Sequence, residues 1–150
     1  WPQLFLGFTF NWGALLGWAA VKGELSAPAF VLYGAGIFWT LGYDTIYAHQ
    51  DKEDDVLIGV KSTALKFGDG TKPWLVGFYS ITLILLAATG LLANLAWPFY
   101  SGLTLAALHL AWQIKSVDIA NSKNCLRRFK SNRDFGLILL AGIIAAQVIG

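Results

Sequence analysis

The sequence predicts an all-α fold, a polytopic bundle of transmembrane helices, and three features support this class. Of its residues 56% are hydrophobic and only 13% are charged, whereas soluble domains carry about 25% charged residues. The hydrophobic residues form long runs that approach the roughly 20 residues needed to cross a hydrocarbon core. The runs lack the alternation typical of membrane β-barrels, and an open sheet could not satisfy its edge hydrogen bonds in lipid.

Five apolar runs are predicted to span the membrane, and glycines within them allow helices to approach closely. In chain order they are Leu4–Val21, Ala27–Tyr43, Trp74–Ala93, Trp97–Ile114 and Phe135–Gly150. The last run is short for a spanning helix, and the sequence contains no methionine. We therefore expect the chain to be part of a longer protein.

Basic residues between the runs predict the orientation in the membrane. Ten of the eleven lysines and arginines lie in two polar segments, Asp44–Pro73 and Lys115–Asp134. With five spans, both segments fall on one side, which the positive-inside rule assigns to the cytoplasm or the mitochondrial matrix. A net charge of +2 gives no indication of nucleic-acid binding. His49 and His109 lack ligand-like spacing, and the single cysteine, Cys125, fits no metal site.

The first polar segment begins with a series of carboxylates directly after the second apolar run. If the helix continues, about 100° per residue places Asp51 roughly −20° and Asp55 roughly +20° from Asp44. These three carboxylates would then share one narrow stripe. Tyr47 would flank that stripe at about −60°.

Three carboxylates on one stripe repel one another unless a cation holds them. Oxygen ligands without thiolates or paired histidines suit a hard ion such as Mg²⁺, which usually completes its octahedral shell with waters and substrate phosphates. A diphosphate is therefore the expected ligand. Further along, Lys61 and Ser62 could contact diphosphate oxygens by charge and hydroxyl donation.

The acidic segment has other interpretations. An acidic cluster after a membrane helix is about as often a solvated connector without a bound ligand as it is a binding site. An EF-hand is excluded because the glycine and the terminal glutamate of its loop are missing, and a nucleotide P-loop because its glycines are missing. Glu53 and Asp54 lie off the predicted stripe and are expected to face solvent.

The string DTIYAHQDKEDDVLIGVKSTA, from Asp44 to Ala64, resembles the second aspartate-rich motif of the UbiA family of intramembrane prenyltransferases. It is most similar to the branch that acts on 4-hydroxybenzoate. The opening WPQLFLGFTFNWGALLGW and the later CLRRFKSNRDFGLIL also look like this branch, so the resemblance covers all 150 residues. It identifies Asp44, Asp51 and Asp55 as the motif carboxylates, with Tyr47 beside them.

The resemblance also implies what the whole protein would be. The family fold has about nine transmembrane helices, and an earlier Asn-Asp-x-x-Asp motif of the family does not occur here. Residues 1–150 would then be the C-terminal part of a single transmembrane prenyltransferase domain. Lys61 and Ser62 belong to the end of the matching motif.

The family's chemistry adds substrates and a cofactor to this expectation. A polyprenyl diphosphate would lose its diphosphate with the help of Mg²⁺ and alkylate the ring of 4-hydroxybenzoate, a step of ubiquinone biosynthesis. The protein would lie in the lipid bilayer of a bacterial or mitochondrial inner membrane. This chain alone would be inactive, because half of the metal site is elsewhere. The alternatives are another aromatic acceptor, or a noncatalytic membrane module whose acidic loop binds a cation.

Two further groups of polar residues have more than one interpretation. Asn11 lies within an apolar run, where it could line a substrate pocket or form a hydrogen bond between helices. A basic run near the C-terminus could contact the diphosphate, but membrane anchoring and anionic lipid contact explain it more simply. That run consists of Arg127, Arg128, Lys130 and Arg133.

Overall fold

The computed structural model describes residues 1–149, apart from the side chain of Glu53. Gly150, which ends the fifth predicted run, lies outside the described residues. The described part contains helices and no strand, which agrees with the predicted fold class. Its α-helices are α1 (Pro2–Phe10), α2 (Trp12–Lys22), α3 (Ala27–Ala48), α4 (Lys52–Ile58), α5 (Thr63–Phe67), α6 (Thr71–Leu92), α7 (Trp97–Ser116), α8 (Ser122–Lys130) and α9 (Asn132–Ile149). A 3-10 turn, Gly68–Gly70, joins α5 to α6.

The predicted apolar runs are confirmed as helical, with two differences. The first run is divided at Asn11, whose side-chain amide donates to the Gly7 carbonyl at 2.7 Å and so competes with the helical backbone bonds. Helix α3 continues five residues beyond Tyr43, where the predicted apolar run ends. Within this extension the Thr45 hydroxyl donates to the carbonyl of Leu41 at 2.6 Å, which keeps the threonine compatible with the helix.

Three helical segments are long and apolar enough to cross a membrane, by length and composition: Pro2–Lys22, Thr63–Leu92 and Ser122–Ile149. The other two predicted spans form α3, with 22 residues, and α7, with 20 residues. Both have the length that a span requires, but their aromatic and polar side chains lower their mean hydropathy. The count of five spans therefore stays a prediction.

Helix α3 lies at the centre of the bundle. It packs most extensively on α6 and also contacts α1, α2 and α8, while α7 packs mainly on α9. Glycines allow both main contacts. A Cβ atom on Gly42 of α3 would overlap the ring of Tyr79 on α6, and one on Gly102 would lie 2.9 Å from the Cα of Gly142. Such close contact between small residues is characteristic of membrane helix pairs.

The two ends of the bundle differ in character. At one end, Lys22, Asn94 and Gln147 contribute to the rim of an apolar cavity of about 820 Å³. At the other end, His49 and Lys52 line a polar cavity of about 380 Å³ together with Ile119 and Ser122, which belong to the second polar segment. The structure therefore places both predicted basic segments at the same end.

Candidate functional site

The predicted site lies in the segment Asp44–Thr71, called the acidic connector below. Helix α3 ends at Ala48, a turn follows, and α4 begins at Lys52. The prediction that Asp44, Asp51 and Asp55 share one helical stripe is therefore wrong, because the angular count assumed an uninterrupted helix. Among the residues that the structure describes, no group of three or more acidic, histidine or cysteine side chains is placed to hold a metal ion.

Each of the three carboxylates has its own position in the connector. Asp44 lies near the end of α3, Asp51 occupies the N-cap position of α4 without a side-chain capping hydrogen bond, and Asp55 lies in α4. All three are half-buried. The ion pair found in the described part joins Arg133 to Asp134 at 3.1 Å, so none of the three carboxylates is paired with a basic side chain there.

Helix α4 ends where a left-handed glycine turns the chain back towards α5. Gly59 has φ of 74°, and the N–H of Val60 donates to the carbonyl of Asp55 at 2.9 Å. This turn brings Lys61 and Ser62 to the side of α4 that carries Asp55. These three predicted site residues line one cavity of about 550 Å³, whereas Asp44 and Asp51 do not line it.

The cavity beside Asp55 also contains residues that sequence reasoning missed. Lys66, on α5, places its amine 4.9 Å from the ring centroid of Trp1, a cation–π contact. Both residues line the cavity. A second cation near Lys61 increases the attraction for an anion. The signal was available in the sequence as a second lysine, Lys66, five residues after Lys61.

Ser62 is buried, and its hydroxyl has no hydrogen-bond partner among the described residues. The next residue fixes its position, because the Thr63 N–H donates to the Gln3 side-chain oxygen at 3.1 Å. The Thr63 hydroxyl also lies 2.8 Å from that of Thr45 on α3. Polar bonds from α1 and α3 therefore hold the returning part of the connector in place.

A second bond joins the start of the connector to its end. His49 Nε2 lies 2.8 Å from the Thr71 hydroxyl, and that hydroxyl donates to the carbonyl of Gly68 at 2.8 Å. The hydroxyl proton is thus used, so Nε2 is the donor to Thr71 and carries the histidine proton. Burial, together with nearby Lys52, lowers the pKa of His49, and Asp69 opposes this effect. A neutral His49 is favoured.

Tyr47 belongs to an aromatic column along one face of α3, which also contains Trp39 and Tyr43. Phe129 of α8 packs against Tyr47 with ring centroids 4.8 Å apart and against Tyr43 at 5.6 Å. Trp39 Nε1 donates to the Asn132 side-chain oxygen at 2.9 Å. The four-residue spacing of these aromatic residues predicts such a column, but sequence reasoning did not identify its partners in the second polar segment.

Asn11 bridges helices, one of the two roles considered for it. Its amide nitrogen donates to the Thr40 hydroxyl on α3 at 2.9 Å, as well as to Gly7 within α1. A Cβ atom on Gly36 would overlap the Asn11 side chain, so this glycine provides the space for it. Asn11 also lines a cavity of about 180 Å³, which leaves its predicted substrate contact untested.

Two apolar cavities lie beside α3, apart from the cavity that contains Asp55. The cavity of about 180 Å³ is bounded by Asn11 and Trp39. It shares Leu32, Leu86 and Leu139 with the larger cavity of about 820 Å³ at the opposite end of the bundle. These shared side chains place the two cavities next to each other along α3.

The long apolar helices define an integral membrane protein, and its acidic connector brings Asp55 together with two lysines. Residues 1–142 match the UbiA prenyltransferase family, and the chain belongs to that family.

Curated relatives agree with this assignment. The chain is 56% identical to the mitochondrial 4-hydroxybenzoate polyprenyltransferase of Arabidopsis thaliana, over 98% of this chain and 36% of the relative. It is 53% identical to the proteins of the same name from Caenorhabditis elegans and Homo sapiens, over 99% of this chain and 42% and 40% of those relatives. The chain thus spans about two fifths of the length of these relatives. No solved structure matches it.

Proposed function

We propose that this chain contributes one half of the active site of a magnesium-dependent aromatic prenyltransferase. The reaction would transfer a polyprenyl group from its diphosphate to the ring of 4-hydroxybenzoate, in ubiquinone biosynthesis. The names of the relatives support this substrate pair. The observation that carries the proposal is the cavity in which Asp55 lies with Lys61, Lys66 and Ser62, because it combines a carboxylate for a metal with donors for a diphosphate.

The donor set of the connector fits magnesium. Asp44, Asp51 and Asp55 offer only oxygen ligands, are half-buried and form no ion pair within the described residues. Mg²⁺ usually takes only one or two carboxylates and keeps water or phosphate in its other positions, so a closed cluster is not required. When bound, the metal would neutralise the negative charge that builds up on the departing diphosphate.

The chain's own residues would hold the diphosphate at this end of the site. Lys61 is exposed at the cavity and can donate to diphosphate oxygens. The Ser62 hydroxyl, which has no partner within the described part, can donate to the same group after a change of rotamer. The bonds from Gln3 and Thr45 to Thr63 keep this pair in position during turnover.

The apolar part of the donor would lie within the bundle. Two adjacent apolar cavities lie between Trp39 and the opposite end of the bundle, and the larger one measures about 820 Å³. A polyprenyl tail would gain free energy from burial there, at about 25 cal/mol per Å² of apolar surface. The mitochondrial names of the relatives support a mitochondrial membrane, which we propose to be the inner one. The basic residues of the two polar segments favour the matrix side for the connector.

The proposed active site also requires residues that lie outside this chain. A diphosphate and the connector carboxylates together bring a large negative charge, and Mg²⁺ favours carboxylates from more than one direction. This chain provides one acidic segment. We therefore expect residues 1–150, purified alone in detergent, to show no transfer from polyprenyl diphosphate to 4-hydroxybenzoate with Mg²⁺.

The decisive experiment replaces single carboxylates in the full-length protein. Asp51→Asn and Asp55→Asn keep the side-chain size and should each reduce transfer on the order of a hundredfold, because each removes a charge that positions the metal. Asp54→Asn is the matched control, since Asp54 is exposed on the same short helix. Transfer to 4-hydroxybenzoate is measured in membranes over a range of Mg²⁺ concentrations. Equal losses in all three variants would contradict the proposed roles.

A further inference from the structure

The basic run in the second polar segment contains one residue that differs from its neighbours. Arg128, on α8, is only 8% exposed, whereas Arg127 and Lys130 are exposed. Its guanidinium carbon lies 4.2 Å from the ring centroid of Trp112, at the end of α7. This cation–π contact restricts the guanidinium to one position, whereas a solvated arginine side chain would be flexible.

The guanidinium of Arg128 has no anionic partner in the described part of the chain. Its Nε and Nη1 atoms are buried without hydrogen-bond partners there. The nearby acidic residues are engaged elsewhere, since Asp118 accepts the Ala120 N–H at 3.1 Å and Asp134 pairs with Arg133. Burying two donor atoms of a charged group without partners is unfavourable, so the site is suited to an anion from outside the chain.

A second unpaired group lies beside the same tryptophan. The ring of His109, one turn earlier on α7, has its centroid 5.3 Å from that of Trp112. His109 Nε2 is also buried without a partner among the described residues. Trp112 thus connects two polar groups whose hydrogen-bonding capacity is unused.

The position of Arg128 separates it from the acidic connector. Consecutive helical residues point about 100° apart. Phe129 packs on Tyr43 and Tyr47 of α3, and Arg128 packs on α7 instead. An anion at Arg128 would therefore not be the diphosphate that the connector is proposed to hold.

We propose that Arg128, Trp112 and His109 form a binding site for the phosphate of an anionic membrane phospholipid. Trp112 is partly exposed near the last turn of α7, where Lys115 marks the polar end of the helix. Tryptophan and lysine at a helix end are typical of the membrane interface, the level at which lipid phosphates lie. Basic pockets at the ends of membrane helices bind anionic lipid headgroups in this way.

The test uses the full-length protein, purified and delipidated in detergent. Native mass spectrometry measures the binding of phosphatidylglycerol, of phosphatidylcholine and of inorganic phosphate in parallel titrations. The proposal expects a saturable preference for phosphatidylglycerol, with little binding of inorganic phosphate. Equal binding of both lipids, or binding of inorganic phosphate that displaces phosphatidylglycerol, would overturn it.

Variants assign the preference to this site. Arg128→Gln should weaken phosphatidylglycerol binding about tenfold or more, because charge-assisted donors are lost. Arg127→Gln removes an equal charge from an exposed neighbour and should retain the preference. If Arg128→Gln does not fold, Arg128→Lys and Trp112→Leu provide the same comparison, and each should weaken binding. Loss of binding in Arg127→Gln equal to that at Arg128 would show an unspecific basic surface and overturn the proposal.

Discussion

The acidic connector and the crossing of α3 with α6 are neighbours, but they are held together in different ways. At the crossing, Gly42 has no side chain, and the buried ring of Tyr79 fills the space that this leaves. In the connector, discrete hydrogen bonds join Thr45 to Thr63 and His49 to Thr71. The stability of the crossing depends on complementary shapes, while that of the connector depends on hydrogen bonds between pairs of polar groups.

This difference determines how each region responds to substitution. A tightly packed crossing cannot accept an added atom without moving a helix, and the resulting cost does not depend on pH. A hydrogen-bonded connector loses one pair at a time, each with a net contribution of about 1 kcal/mol. Where a histidine is one partner, the contribution also depends on pH.

The largest expected effect is at the crossing. Gly42→Ala should destabilise the full-length protein by about 3 kcal/mol, the upper end of the usual range for overpacking. The ring of Tyr79 cannot easily move away, because it is buried and its hydroxyl donates to Gln113 Oε1. Thermal unfolding in detergent measures the change.

Gly77→Ala, on the partner helix α6, is the control for this substitution. No atom lies within 4 Å of a Cβ atom placed on Gly77. Alanine favours a helix over glycine by up to about 1 kcal/mol, so this variant should be neutral or slightly more stable. If Gly42→Ala were as well tolerated as Gly77→Ala, the crossing would not depend on shape.

The fold was largely predictable because its main determinants are local in sequence. Apolar runs of the length of a membrane helix specify helices regardless of their neighbours. The break at Asn11 was not predicted, since it depends on a particular side-chain hydrogen bond. Composition also could not indicate which helices pack together, because that depends on where glycines face bulky side chains.

The candidate site was predicted less completely. Its residues were identified from a motif, but their common helical stripe was wrong because the chain turns between Ala48 and Lys52. The angle of about 100° per residue applies to a continuous helix and does not predict where that helix ends. The grouping of Asp55 with Lys61 and Ser62 depends on the left-handed turn at Gly59. The hydrogen bond from the Thr63 N–H to Gln3 joins residues far apart in the sequence.

A smaller effect is expected from one polar pair of the connector. Thr45→Val keeps the side-chain shape but removes the hydroxyl that lies 2.8 Å from that of Thr63, so it should cost about 1 kcal/mol. Thr104→Val is the control, because the Thr104 hydroxyl bonds the carbonyl of its own helix at an exposed position. Chemical denaturation of both variants measures the difference. If Thr104→Val lost as much stability as Thr45→Val, the contact between Thr45 and Thr63 would not stabilise the connector.

The smallest expected effect is the pH dependence of His49. Burial and Lys52 lower its pKa in the folded protein below the ordinary value of about 6.5. Because the unfolded chain then binds the proton more readily, the contribution of His49 is complete above about pH 6.5 and is lost as the pH falls through the folded pKa. At higher pH the neutral ring donates from Nε2 to Thr71.

His49→Gln isolates this dependence, because the glutamine amide can still donate a hydrogen bond to Thr71 but does not titrate. Unfolding of wild type and variant is compared at several values between about pH 8 and about pH 5, the range in which an ordinary histidine changes charge. The two proteins should differ least at the upper end, and the wild type should lose more stability than the variant as the pH falls. Carboxylates common to both cancel in the comparison. Parallel pH profiles would show that the proton on His49 is not coupled to folding, and the contact between His49 and Thr71 would then be as insensitive to pH as the crossing.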